Sequence, residues 1–181
     1  MSAIIGGVDD DVIGMIDDAT RRLLVTVESL DDGAIAEPSL LPGWTRGHVL
    51  THLARNADGL RNLLIWARTG VETPGYRSKQ ARDADIEAGA GRAAAEQLAD
   101  VAASAAAFAS EAVRVPAEAW QTAVSMVQPE MFPARLILPK RLIEVELHHT
   151  DLGSGYTRAD WPAAFAEMDL PEPMAALRAT R

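Results

Sequence analysis

Two stretches of the sequence carry side chains able to hold a metal ion. In Leu41-Pro42-Gly43-Trp44-Thr45-Arg46-Gly47-His48-Val49-Leu50-Thr51-His52, two imidazoles stand four residues apart. In Arg141-x-x-Glu144-x-x-x-His148-x-x-Asp151-Leu152, a carboxylate and an imidazole have the same spacing. On a helix, Arg141, Glu144, His148 and Asp151 fall along one face. Leu142, Ile143, Val145 and Leu147 flank that strip, and burying it is costly unless it meets a partner, of which a metal is one. On the first stretch His48, His52, Asn56 and Gly59 form a matching strip. His52 lies one turn deeper than His48, at the edge of the apolar stripe, and is the better placed third ligand. Two imidazoles and a carboxylate with an open position are the ligand set of a catalytic zinc, though nickel, iron and manganese accept the same donors. A lone Glu-x-x-x-His also occurs on solvated faces and in ion pairs, so spacing alone leaves both readings open. His149 is expected at the surface. His48 is expected at the rim or behind the ligands. Asp151 either accepts a hydrogen bond from an imidazole nitrogen or caps the helix end.

The elements that must bring these stretches together are helical. Apolar residues at Val12, Ile16, Ala19, Leu23, Leu24, Val27 and Leu30 predict a helix over 9–30. Thr45 is an N-cap for a second helix reaching about residue 68, with Val49, Leu50, Leu53, Ala57, Leu60 and Leu64 as its buried stripe. A loop broken by Gly70, Pro74 and Gly75 and a short helix near 80–88 precede a long alanine-rich helix over 91–113. The segment 115–133 reads as irregular. A fourth long helix occupies 134–151, where Pro139 implies either a kink or a fresh start with proline in the first turn. A further short helix is expected within 160–168. The expected fold is all-α, a four-helix bundle with long connecting loops, over residues 1–157, followed by a tail over 158–181.

The 181 residues are 48% hydrophobic and only 5% aromatic, which suits helices built on small side chains. A formal net charge of −9 argues against nucleic acid as a partner. No apolar run has the length of a membrane span, and Asp9, Asp10 and Asp11 stand where a signal peptide would need positive charge. The expectation is a soluble, cytoplasmic protein with small-molecule partners, with a homo-oligomer left open. With no cysteine, any thiol chemistry has to come from a small molecule.

These motifs together carry a resemblance. Ser39-Leu40-Leu41-Pro42-Gly43-Trp44-Thr45-Arg46 followed by His52, and Arg141-x-x-Glu144-x-x-x-His148-x-x-Asp151-Leu152, look like the two signatures of the mycothiol-dependent maleylpyruvate isomerase family, within the DinB-like metal-binding bundles. Gly70-x-Glu72-Thr73-Pro74-x-Tyr76-x-Ser78-x-x-Ala81-Arg82 is similar to a loop of its isomerase members. The likeness covers most of residues 9–155. It implies zinc on His52, Glu144 and His148, and mycothiol as the thiol cofactor. It also implies that thiol adds to the double bond of maleylpyruvate, permits rotation and leaves, giving fumarylpyruvate. His52 and Arg82 are then the candidate catalytic residues, Arg82 as anchor for a substrate carboxylate. Arg141 is a second anchor or a brace for Glu144 and a neighbouring helix. Arg82 could otherwise pair with Asp83 or Asp85. Trp44 and Tyr76 could wall the pocket, Trp44 also as packing on the second helix. Family isomerases usually continue into a smaller C-terminal α/β domain carrying a substrate-binding arginine, whereas this sequence ends at Arg181, so that domain is expected to be missing. Two other functions fit the same motifs: a mycothiol S-transferase acting on another electrophile, and a helical binding protein without catalysis.

Overall fold

The computed structural model of the chain describes residues 5–181, with side chains from residue 11 onward. Residues 1–4 of the expected 1–157 domain, and the side chains of Asp9 and Asp10, lie outside the described part. The chain is all-α, with four long helices: α1 (Ile5–Glu28), α3 (Arg46–Thr69), α5 (Ala94–Ala112) and α6 (Ile137–Asp151). α3 packs between α5 and α6, and α1 closes the bundle against those same two helices. Shorter helices α2 (Asp32–Ala36), α4 (Lys79–Ala90), α7 (Ala163–Ala166) and α8 (Met174–Ala179) lie in the connections.

The core follows the expected stripes. Val12, Ile16, Ala19, Leu23 and Val27 of α1 are buried, as are Val49, Leu50, Leu53, Ala57, Leu60 and Leu64 of α3. α3 begins at the expected cap: the Thr45 hydroxyl accepts from the His48 N–H, and His48 Nδ1 accepts from the Thr45 N–H at 3.2 Å. It ends at Gly70, whose φ of 72° is the left-handed geometry of a helix C-cap. α6 makes the fresh start that Pro139 permits. A 3-10 turn over Ala134–Leu136 leads in, and Pro139 sits in the first turn, where a missing N–H costs no helical bond.

Three features were not legible beforehand. A two-stranded antiparallel pair, β1 (Ala123–Val124) with β2 (Phe132–Pro133), organises the irregular segment. The loop before α4 runs beside it, Gly75 N–H donating to Ser125 O and Tyr76 N–H to Met126 O. The segment 158–181 packs on the bundle, with Trp161, Phe165, Leu170 and Met174 buried in the common core.

Candidate metal centre

α3 and α6 cross so that His52 faces Glu144 and His148. His52 Nε2 lies 2.8 Å from Glu144 Oε2 and 3.1 Å from His148 Nε2, and the last two atoms are 3.3 Å apart. Each residue thus offers one ligand atom to a common point, the arrangement of a site that could hold a metal ion. Tetrahedral zinc with these donors sets neighbouring ligand atoms about 3.3 Å apart, so the trio suits such an ion with modest spreading.

What holds these side chains is a set of longer-range bonds. Arg141, fully buried, donates through Nη1 to Leu53 O and Asn56 Oδ1, each at 2.9 Å, and so rivets α6 to α3 beside the donors. It braces the helix pair and is not open to substrate. The first motif does similar work at the other end. Ser39 N–H donates to Trp44 O, Leu40 N–H to Asp151 O, and Arg46 Nε to Leu152 O, tying the start of α3 to the end of α6. Trp44 is half-buried, its ring edge-on to His52 at 5.6 Å between centroids, so it packs on the site as well as on α3. His48 stays apart from the trio, capping its own helix and meeting Glu87 at 3.2 Å. Asp151 takes the hydrogen-bonding role: it accepts from His148 Nδ1 at 2.9 Å, which turns Nε2 towards His52 and Glu144.

The electrostatics match the crowding. Burial pushes His52 below the usual imidazole range despite Glu144. Burial also opposes charge on His148, but Asp151 and Glu144 outweigh it and raise this group to about 9. Glu144 is held well below the usual carboxylate range, its burial overcome by hydrogen bonds from His148 and His52. Three atoms with lone pairs stay together only with positive charge between them. In the metal-free protein ring protons on His148 and on His52 Nε2, both facing Glu144, supply it, and a divalent cation suits the same place.

Above the donors opens a cleft of about 390 Å³, walled by Tyr76, Lys79, Arg82, Met126 and Gln128 among others. Arg82 divides its guanidinium: Nη1 pairs with Asp83 at 2.7 Å, and Nη2 lies 3.1 Å from His52 Nδ1. A guanidinium only donates, so this contact needs Nδ1 bare and the ring proton on Nε2, facing Glu144. Ligation through Nε2 requires the opposite tautomer, so a metal and this Arg82 contact exclude each other. Tyr76 Oη is buried without a partner among the described residues, and burial first of all lifts it to about 12, so it remains a donor.

One expectation fails. His149 is buried, not exposed: its Nε2 lies 2.8 Å from Thr26 Oγ1 of α1 and its ring stacks on Tyr156 at 3.7 Å. α6 is covered on two sides, by α3 at His148 and by α1 about 100° further round. Lys79 and Arg181 join the site's surroundings without sequence warning. Lys79 is an ordinary helix-start lysine in sequence, and Arg181 reaches Asp151 from thirty residues away.

Fold and site together define an all-α bundle with a candidate two-histidine, one-carboxylate metal centre between two of its long helices. Residues 16–153 match the family described as the mycothiol maleylpyruvate isomerase N-terminal domain, and the chain belongs to that family. Among solved structures it is similar to the crystal structures of the mycothiol-dependent maleylpyruvate isomerase and of a histidine-to-alanine mutant of it. Each match has 31% identity and a TM-score of 0.82, covering 88% of this chain and 66% of the other. The chain therefore spans just under two thirds of those relatives' length. No curated protein sequence matches it significantly. Among the described residues no helix is long and apolar enough to cross a membrane.

Proposed function

We propose that His52, Glu144 and His148 hold a divalent metal, zinc in the first instance, and that the chain works with mycothiol on maleylpyruvate as a cis-trans isomerase. The observation that carries this reading is the convergence of three ligand atoms from two helices at 2.8–3.3 Å, two of whose residues, His52 and Glu144, line a cleft. Family membership and the likeness to a mycothiol-dependent maleylpyruvate isomerase point to the thiol and the substrate. Bound there, a metal supplies Lewis acidity that lowers a coordinated thiol's pKa to where the nucleophilic form dominates, and mycothiol supplies the sulfur.

The chain's own groups do the rest. His148 is oriented by Asp151, and His52 is buried against Trp44, so neither imidazole swings away. Lys79 and Arg82 place two cations on the cleft wall, where a substrate with two carboxylates needs them. Arg82, displaced from His52 Nδ1 by ligation, is free to turn its donors to a carboxylate. Tyr76, held protonated, can donate to a carbonyl oxygen on which charge develops.

The test has two arms. Purified protein is analysed for metal before and after zinc addition, with about one equivalent expected. Zinc-loaded protein is then given mycothiol and maleylpyruvate, and fumarylpyruvate is followed. Metal bound with no fumarylpyruvate, but with thiol conjugates of other electrophiles, would replace isomerase with S-transferase. No metal at all would leave a helical binding protein.

A further inference from the structure

We propose that Arg181 is a positioning residue for the metal centre, acting through Asp151 on His148; this rests on the reading of His52, Glu144 and His148 as metal ligands. Arg181 Nε meets Asp151 Oδ1 at 2.6 Å and its Nη2 meets Oδ2 at 3.2 Å. The planar fork thus grips both carboxylate oxygens, the strongest geometry this pair of groups forms. The same Oδ2 accepts from His148 Nδ1 at 2.9 Å, and His148 Nε2 is the atom turned to His52 and Glu144. A continuous line therefore runs from guanidinium to carboxylate to imidazole to the converging ligand atoms.

Asp151 lies almost wholly inside the protein, its side chain only 2% exposed. A carboxylate so placed can rotate between partners unless both oxygens are held. With Arg181 in place, Oδ1 is occupied and Oδ2 is left for His148, which fixes the imidazole's tautomer and ring plane. Without it, Asp151 keeps one partner and loses the cation that compensates its burial.

The segment that carries Arg181 is held by packing, while Arg181 itself lies at the surface and is held through its grip on Asp151. Met174 and Phe165 are buried in the core, α8 lies against α6, and Arg178 donates through Nη1 to Phe165 O. The segment beyond the bundle proper thereby delivers a side chain to the rear of the metal centre. Arg181 does not line the cleft, so its effect is on how well His148 binds metal.

The experiment measures zinc affinity by competition with a chromogenic chelator on the metal-stripped chain, as wild type, Arg181→Ala, Arg181→Lys, Asp151→Asn and the Arg181→Ala/Asp151→Asn double variant. Circular dichroism checks that each is folded. Losing a direct partner of a metal-binding histidine costs roughly 10–100-fold in affinity, and Asp151→Asn is expected in that range. Arg181→Ala, one link further out, is expected to weaken zinc about threefold to tenfold. Arg181→Lys keeps the charge without the fork and should fall between it and wild type. The double variant should bind within about twofold of Asp151→Asn alone, because the neutral amide has a single acceptor oxygen and can no longer pair with the Arg181 fork. Arg181→Ala matching wild type while Asp151→Asn is weak overturns the proposal and leaves the metal centre standing, as do fully additive losses. A wild type that binds no zinc overturns both.

Discussion

At the scale of single residues, the donors differ from their surroundings in what their loss should do. His52→Ala removes a proposed ligand and should weaken zinc by more than the roughly 100-fold upper end of indirect losses, with helical content retained, because the site is held by Arg141 and the 39–46 loop as well. Wild-type zinc affinity in that variant would remove His52 from the centre. Arg82 should behave in the opposite sense. Its contact with His52 Nδ1 competes with ligation through Nε2, so Arg82→Met should bind zinc at least as tightly as wild type while losing turnover through a raised KM. Clearly weaker zinc binding in Arg82→Met would show that the arginine supports the centre instead. Much of this trio was legible, since a four-residue spacing on α6 and the depth of His52 on α3 both follow from about 3.6 residues per turn. The tautomer conflict was not, because nothing in sequence places residue 82 against residue 52.

Between elements, the α3–α4 contact decides where the cleft's cations stand. Gly47 of α3 faces the Ala90 carbonyl of α4 so closely that a Cβ built there would lie 2.0 Å from its oxygen. The far end of α4 carries Lys79 and Arg82. Gly47→Ala must therefore push α4 away, costing about 1–3 kcal/mol. It should lower substrate affinity more than metal affinity, which comes from α3 and α6; KM and zinc competition on one preparation would separate the two, and urea titration reads the stability cost. The α1–α6 contact has its own signature. Burial, with Arg22 nearby, lowers His149 to about 4, so only the unfolded chain takes up this proton as pH falls from about 6.5 towards 4. Its contribution is complete above about 6.5 and is lost on acidification through that window, by about 3 kcal/mol at most. His149→Phe, which can keep the stack on Tyr156, should flatten the loss of unfolding free energy of metal-free protein over that window; an unchanged slope would assign it elsewhere. The long helices were legible because each buries at least one stripe at helical spacing. His149 was misread because α6 buries two, and the second depends on which helix packs behind it.

For the whole molecule, the segment after residue 157 shares the bundle's core. The sequence suggested a tail because 158–181 has prolines at 162, 171 and 173 and no long periodic run. What periodicity could not reveal is that single apolar residues at wide spacing, Trp161, Phe165, Leu170 and Met174, each find a place on the bundle. Such anchors are read only once the surface they fill exists. The segment should then unfold with the bundle in one transition. Phe165 is fully buried, edge-on to Trp161 at 5.2 Å, with the Arg178 guanidinium 5.8 Å from its ring. Phe165→Ala should cost about 3–5 kcal/mol of global stability, read as a lower urea midpoint with unchanged slope. If the segment were an independent appendage, the midpoint would stay and only its own proteolytic sensitivity would rise. Because the same packing presents Arg181 to Asp151, the variant should also lose zinc affinity to about the extent of Arg181→Ala, joining the stability of the far end of the chain to the quality of its metal centre.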